Sequence, residues 1–152
     1  MKTIFVLLLL CFAASCIEPP DCLLTSTNFV KINLKKQDNT ANPLAITSIA
    51  VPGTVLTFYP NETVSFVTLP VNPESNETTF VFNYVIEENS VKVNKSASLT
   101  VGYKNEIRLI SEECGAYQYQ QDLTILSTDF TNTKLINTSL LIAVPSNLEI
   151  YF

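Results

Sequence analysis

The amino-acid sequence predicts an all-β protein: an antiparallel immunoglobulin-like β-sandwich of about eight strands that follows an N-terminal signal peptide. Two observations lead to this prediction. After residue 26 the chain is rich in Thr, Val, Ile, Phe, Tyr and Asn, which favour strands and turns over helices. Its apolar residues also recur at every second position, in short segments that end in Pro, Gly or Asn. The same pattern is compatible with a closed barrel.

The first fifteen residues have the layout of a secretory signal peptide. Lys2 gives a basic start, residues 4–12 form an apolar run, and the small residues 13–15 follow. The apolar run is shorter than the about 20 residues that a membrane-spanning helix needs. We therefore expect residues 1–15 to be removed on export.

Cleavage after residue 15 would leave Cys16 at the new N-terminus. Residues 13–16, Ala-Ala-Ser-Cys, resemble a bacterial lipobox, in which the cysteine is lipidated. Removal of the signal peptide leaves three cysteines, Cys16, Cys22 and Cys114, and an odd number in an exported protein indicates a modified or unpaired one. Lipid on Cys16 leaves Cys22 and Cys114 as a disulfide pair in an oxidising compartment. The alternative is an ordinary secreted protein in which Cys16 is a free thiol.

These features divide the chain into three predicted parts. Residues 1–15 are a lipoprotein signal peptide, residues 16–26 are the lipidated N-terminus and a spacer, and residues 27–152 are the β-sandwich domain. A domain of this length can bury a substantial core.

The first predicted strand, residues 28–36, shows the alternation most clearly. Val30, Ile32 and Leu34 share one face, and the positions between them are polar. Prolines or turn residues end each of the three strands that follow, which are predicted at residues 44–51, 55–59 and 63–69.

The second half of the chain is predicted to contain a central strand at residues 79–86, because this segment is apolar on both faces. A hairpin is predicted around Asn94 and Lys95. The other strands of this half are predicted at residues 90–93, 96–103, 106–112, 117–126, 130–136 and 148–152.

No enzymatic chemistry is supported by the residue types present. The chain has no histidine, which removes the Ser-His-Asp triad, the usual zinc sites and the commonest general base. The carboxylate pairs Glu87–Glu88 and Glu112–Glu113 are adjacent in sequence, so on a strand each pair would point to opposite faces. There is no Gly-rich phosphate loop and no calcium-binding loop motif. We expect no enzyme, no cofactor and no metal site.

The charge of the chain argues against a nucleic-acid partner. The net charge is −5 for the whole chain, and loss of Lys2 with the signal peptide makes it about −6. No basic stripe is present that could neutralise phosphates.

Tyr117 and Tyr119 form the one possible ligand platform in the sequence. They fall on the same face of a predicted strand, with Gln118 and Gln120 on the opposite face. Exposed tyrosines beside amides can bind a sugar or a partner protein, although aromatics at this spacing more commonly pack in a core.

Several of these features together resemble a family of small lipoproteins of unknown function from Bacteroidota. They are the signal peptide, Cys16, the short spacer to Cys22, the Thr- and Asn-rich strands, and the turn Glu113-Cys114-Gly115 followed by Tyr117. Ala116 stands where the resemblance predicts Phe or Tyr. The resemblance implies an envelope lipoprotein, and it carries no assigned activity.

The predicted function is that of an uncharacterised cell-envelope lipoprotein, a non-enzymatic binding or adaptor module tethered to a membrane by lipid on Cys16. The expected location is the outer membrane, with the periplasmic and the surface face both open. The alternative is a carbohydrate-binding surface lipoprotein that uses Tyr117 and Tyr119.

Overall fold

The structure, a computed structural model, describes residues 28–152, which form ten strands in two sheets. The strands are β1 (Phe29–Lys35), β2 (Leu44–Ala50), β3 (Thr57–Phe58), β4 (Glu62–Val64), β5 (Phe66–Pro70), β6 (Glu77–Glu88), β7 (Val91–Ser111), β8 (Gly115–Thr128), β9 (Asn132–Leu135) and β10 (Leu148–Tyr151). The described residues contain no helix, and the two sheets pack face to face. The predicted β-sandwich is confirmed, with ten strands instead of about eight.

The first sheet has four strands in the order β5-β1-β10-β9. Strands β1 and β10 form a parallel pair, in which Ile32 lies opposite Leu148. The first and last strands of the domain are thus hydrogen-bonded to each other. The other pairs of this sheet are antiparallel, as predicted.

The second sheet has six strands in the order β3-β2-β6-β7-β8, and β4 also pairs with β2. The predicted strand 63–69 is divided between the two sheets. Its first part lies in β4 and its second part in β5, and the chain crosses over at Ser65, whose carbonyl accepts a hydrogen bond of 2.8 Å from the Leu34 amide. Alternation alone does not reveal such a crossing, because it continues on both sides of Ser65.

The core lies between the sheets and consists of the inward-facing residues of both. In β1 these are Val30, Ile32 and Leu34, all fully buried, which confirms the face predicted for that strand. Phe80 and Phe82 of β6 are the largest fully buried side chains facing them. Burial of each such side chain contributes about 1.5–3 kcal/mol.

The hairpin predicted around Asn94 and Lys95 is wrong. Both residues lie inside the continuous strand β7, opposite Val85 and Tyr84 of β6. The turn lies instead at Asn89 and Ser90, which have positive φ angles of 50° and 65° and form the two-residue loop that suits a β-hairpin. Asn is compatible with both a turn and an extended strand, so the sequence did not show whether the turn lies at Asn89 or at Asn94.

The β7–β8 hairpin extends beyond the sandwich. The last residue of β7 that pairs with β6 is Gly102, and from Lys104 onward β7 pairs with β8 alone. We call residues 104–121 the arm. The arm merges segments that were predicted as separate strands, and its tip is the turn at residues 112–114.

Candidate functional site

A hydrogen-bonded network holds the base of the arm against the β5–β6 loop. The Tyr103 hydroxyl group donates to the Asn72 carbonyl at 2.7 Å and accepts from the Thr78 hydroxyl group at 2.6 Å. Thr78 in turn accepts from the Asn72 amide at 2.8 Å. Burial raises the pKa of Tyr103.

Further out, amide side chains connect the arm to the same loop. The Asn105 Nδ2 donates to the Ser75 carbonyl, and the Gln118 Nε2 donates to the Pro73 carbonyl. Gln120 is almost fully buried and donates to Asn105 Oδ1 at 3.0 Å. The inner half of the arm is therefore fixed to the domain.

One face of the arm carries charged and aromatic side chains. Arg108 lies opposite Tyr117, and Glu106 lies opposite Tyr119. Arg108 Nη2 is 2.8 Å from Glu106 Oε2, and its guanidinium carbon is 5.4 Å from the centre of the Tyr119 ring. The hydrogen bond with Arg108 lowers the pKa of Glu106 and raises the pKa of Arg108.

Tyr117 and Tyr119 share this face, and Gln118 and Gln120 lie on the other, which is the arrangement expected from the sequence. Both tyrosines are half-buried. Because the Arg108 guanidinium stacks over Tyr119, one side of that ring is already occupied by a cation.

The opposite face of the arm is apolar toward its tip. Ile107 is 76% exposed and Leu109 is 71% exposed on this face, and Ile110, the next residue along β7, is also exposed. Exposed aliphatic side chains grouped in this way mark interaction surfaces more often than isolated ones do. Sequence reasoning missed this feature because it treated the arm as two separate strands of a sandwich.

Cys114 lies in the turn at the tip of the arm. Its backbone amide donates to Ser111 Oγ at 3.0 Å, and its thiol group is the one expected to form a disulfide. The expected partner, Cys22, and the expected lipidation site, Cys16, lie outside the described residues. The Cys22–Cys114 pairing and the lipid on Cys16 therefore stay predictions.

A groove with a volume of about 650 Å³ lies at the other end of the sandwich. Tyr84, Ile86 and Phe152 form its apolar wall, and Lys36 and Lys92 lie at its edge. Strand β6 is 12 residues long, whereas β10 has only four. The end of β6 therefore runs past the facing sheet and leaves Tyr84 and Ile86 half-buried.

Aromatic contacts stiffen the wall of the groove. The ring centres of Tyr84 and Phe152 are 5.3 Å apart in an edge-to-face arrangement, and Phe130 contacts both rings at 6.2 and 5.7 Å. Burial raises the pKa of Tyr84, an effect that the nearby Lys95 partly offsets. Tyr84 lies on the same face of β6 as the buried Phe80 and Phe82, but the sequence does not specify the lengths of the facing strands.

The carboxylate pairs singled out in the sequence do not come together. Glu87 and Glu88 lie at the β6–β7 hairpin, where Glu88 is 3.0 Å from the Lys95 ammonium, and Glu112 and Glu113 are exposed at the distant arm tip. Among residues 28–152, no group of three or more His, Cys, Asp or Glu side chains is placed to hold a metal ion. The same residues include no helix long and apolar enough to cross a membrane.

The fold and these two regions define a two-sheet β-sandwich protein with a protruding hairpin and a groove at the opposite end. The chain belongs to a family of unknown function, DUF6452, whose model matches residues 43–152. No curated protein and no solved structure matches the chain. The matched region runs from residue 43, just before β2, to the last residue, and it includes the arm and every groove residue except Lys36 and Asn42. The expectation of a family of unknown function is thus confirmed.

Proposed function

We propose that the protein is a non-enzymatic cell-envelope lipoprotein that is tethered through Cys16 and presents the end groove to a ligand or partner. The observation that carries this proposal is the large distance between the groove and Cys114, the residue through which the arm tip would be held near the tether. Residue 92 of β7 borders the groove and residue 111 ends the strand at the arm tip. At about 3.3 Å per residue these points are about 60 Å apart along β7.

The tether is supported by cysteine arithmetic. The described residues contain no cysteine besides Cys114, so a disulfide at Cys114 would take its partner from residues 1–27. Once residues 1–15 are removed, the available partners are Cys16 and Cys22. The lipobox-like residues 13–16 and the resemblance to Bacteroidota lipoproteins favour lipid on Cys16, which leaves Cys22 for the disulfide. An outer-membrane location belongs to this proposal.

The groove is suited to a ligand that combines an apolar body with negative charge. Its volume falls in the range of about 300–1,000 Å³ that is typical of small-molecule sites. The wall supplies two aromatic rings, and the two lysines at its edge outnumber the one carboxylate, Glu87. An aromatic or aliphatic anion would contact both kinds of group.

The tether is tested by the intact mass of membrane-extracted protein, measured with and without reduction and alkylation. We expect loss of residues 1–15, added acyl mass on Cys16, and two thiols that alkylate only after reduction. A soluble product with an unmodified Cys16 would show that the protein is not a lipoprotein.

The groove is tested with 1-anilinonaphthalene-8-sulfonate, an aromatic anion whose fluorescence rises on binding to an apolar site. Replacement of both groove lysines, Lys36→Glu with Lys92→Glu, should weaken binding at least about tenfold, which corresponds to 1.4 kcal/mol. Lys134→Glu, an exposed charge reversal on β9 outside the groove lining, is the matched control. Equal binding by both variants would reject the groove as an anion site.

A carbohydrate-binding role through Tyr117 and Tyr119 is the second candidate, favoured by their common face on the arm. It predicts that Tyr117→Ala abolishes retention on immobilised glycans. Because Arg108 covers Tyr119, Arg108→Ala should increase retention in the same assay. Retention that neither variant changes would rule out this role.

A further inference from the structure

We infer that the arm is the membrane-facing end of the protein and that its exposed apolar side chains contact a zwitterionic phospholipid surface. This inference rests on the proposed lipid on Cys16 and on the proposed Cys22–Cys114 disulfide. It adds to them an orientation of the domain and a second contact with the membrane.

The chain between the lipid and the arm is short. Cys16 and Cys22 are six residues apart, and six residues span at most about 20 Å when fully extended. A disulfide between Cys22 and Cys114 would therefore keep the arm tip within about that distance of the lipid. The start of β1 at Phe29, thirteen residues from Cys16, is held less closely.

The arm exposes aliphatic side chains close to its tip. Ile107 and Leu109 are 76% and 71% exposed, and both lie within the last five residues of β7. No strand other than β8 pairs with this part of β7 among the described residues. These aliphatic side chains are thus free to enter the interfacial region of a bilayer when the tip is held there.

The opposite face of the arm carries residues that are suited to a membrane interface. Tyr117 lies opposite Arg108. Tyrosine is enriched at membrane–water interfaces, and arginine can extend its charged end toward water while its stem lies on apolar surface. The arm thus carries interfacial residues on one face and exposed aliphatic residues on the other, a combination that suits the headgroup region of a bilayer.

The charge at the tip of the arm decides which kind of lipid headgroup the arm contacts. Glu112 and Glu113 are both exposed there. Two carboxylates beside the apolar residues oppose binding to anionic headgroups, so a zwitterionic surface is the favoured partner. Contact should accordingly depend little on salt concentration.

The test uses tryptophan fluorescence, because the natural chain contains no tryptophan. The lipidated full protein carrying Leu109→Trp is reconstituted in phosphatidylcholine vesicles whose acyl chains bear bromine, a short-range quencher. The control is Val91→Trp, at an exposed position beside the β6–β7 turn. We expect at least twofold quenching for Leu109→Trp and none for Val91→Trp.

Equal fluorescence of the two variants in brominated and unbrominated vesicles would overturn the inference. Both positions are more than half exposed, so neither change should prevent folding, and circular dichroism verifies this. A second variant, Ile107→Ser added to Leu109→Trp, should reduce the quenching by removing a neighbouring apolar contact.

Failure of the proposed function gives a different result. A chain without acyl mass would not float with the vesicles, and both the tether and the arm contact would then be rejected. A lipidated chain that floats without quenching of Leu109→Trp would reject the arm contact alone.

Discussion

Tyr103 shows how one hydroxyl group stabilises the base of the arm. It is 4% exposed, and it links Asn72 and Thr78 through hydrogen bonds of 2.7 and 2.6 Å. Tyr103→Phe leaves the Asn72 carbonyl and the buried Thr78 hydroxyl group with one partner fewer, so the free energy of unfolding should fall by about 1–2 kcal/mol. Urea denaturation measures this change.

The matched control for that change is Tyr117→Phe. Tyr117 is half-buried, and its hydroxyl group makes no hydrogen bond within residues 28–152. Its removal should alter the free energy of unfolding by less than about 0.5 kcal/mol. Equal losses for the two variants would contradict the role assigned to the Tyr103 network.

Asp129 gives a pH dependence at the same scale. Its carboxylate accepts hydrogen bonds from the hydroxyl group and the backbone amide of Ser98, and both lower its pKa. A lowered folded-state pKa means that the stabilisation is present at neutral pH and is lost as the pH falls below about 4. Asp129→Asn should therefore lower stability at pH 7 and flatten its decrease in acid.

Denaturant titrations between pH 2 and pH 7 measure that profile. Ser98→Ala removes only the hydroxyl donor and keeps the backbone amide, so it should produce a smaller change of the same sign. A profile for Asp129→Asn with the slope of the natural protein would show that this carboxylate does not contribute.

At the scale of elements, the turn at Asn89 and Ser90 holds a residue other than glycine in a strained backbone conformation. Ser90 has a φ of 65°, a conformation that glycine adopts without steric cost. Ser90→Gly should raise the free energy of unfolding by roughly 0.5–1 kcal/mol, because relief of the backbone strain exceeds the entropy that glycine adds to the unfolded chain. Thermal denaturation measures the effect.

Ser96→Gly tests the same substitution inside β7, where the backbone is extended and the side chain is exposed. There the stability should decrease by roughly 0.5–1 kcal/mol. A turn at Asn94 and Lys95, as alternation in the sequence predicts, would instead leave Ser90→Gly without benefit.

The elements also show how far alternation predicts structure. It located β1 and identified its buried face, because a buried face requires apolar residues at every second position. It did not locate the continuous strand β7 or the crossing at Ser65. Both depend on which strands lie opposite, and that information comes from distant parts of the chain.

At the scale of the whole molecule, the sequence predicted the sandwich and the common face of Tyr117 and Tyr119, but neither the arm nor the groove. The groove exists because β6 is longer than the strands facing it, and the arm exists because β7 continues past its last contact with β6 at Gly102. Differences in strand length carry function here, and they follow from tertiary pairing.

A disulfide at Cys114 would connect the arm to the N-terminal part of the chain. If Cys22 is its partner, the bond closes a loop of about 90 residues, and the chain-entropy model gives it roughly 4–5 kcal/mol. Cys22→Ala and Cys114→Ala should then each lower the free energy of unfolding by that amount. The double variant should be no less stable than either single variant, because each change removes the same bond.

Chemical denaturation of the three variants, with and without a thiol reductant, measures this equality. The reductant should destabilise the natural protein to the level of the variants and leave the double variant unchanged, which controls for other effects of reduction. If Cys16 were the partner, Cys16→Ala would destabilise the domain and Cys22→Ala would not. That outcome would remove the lipid tether and, with it, the reason for the arm to face a membrane.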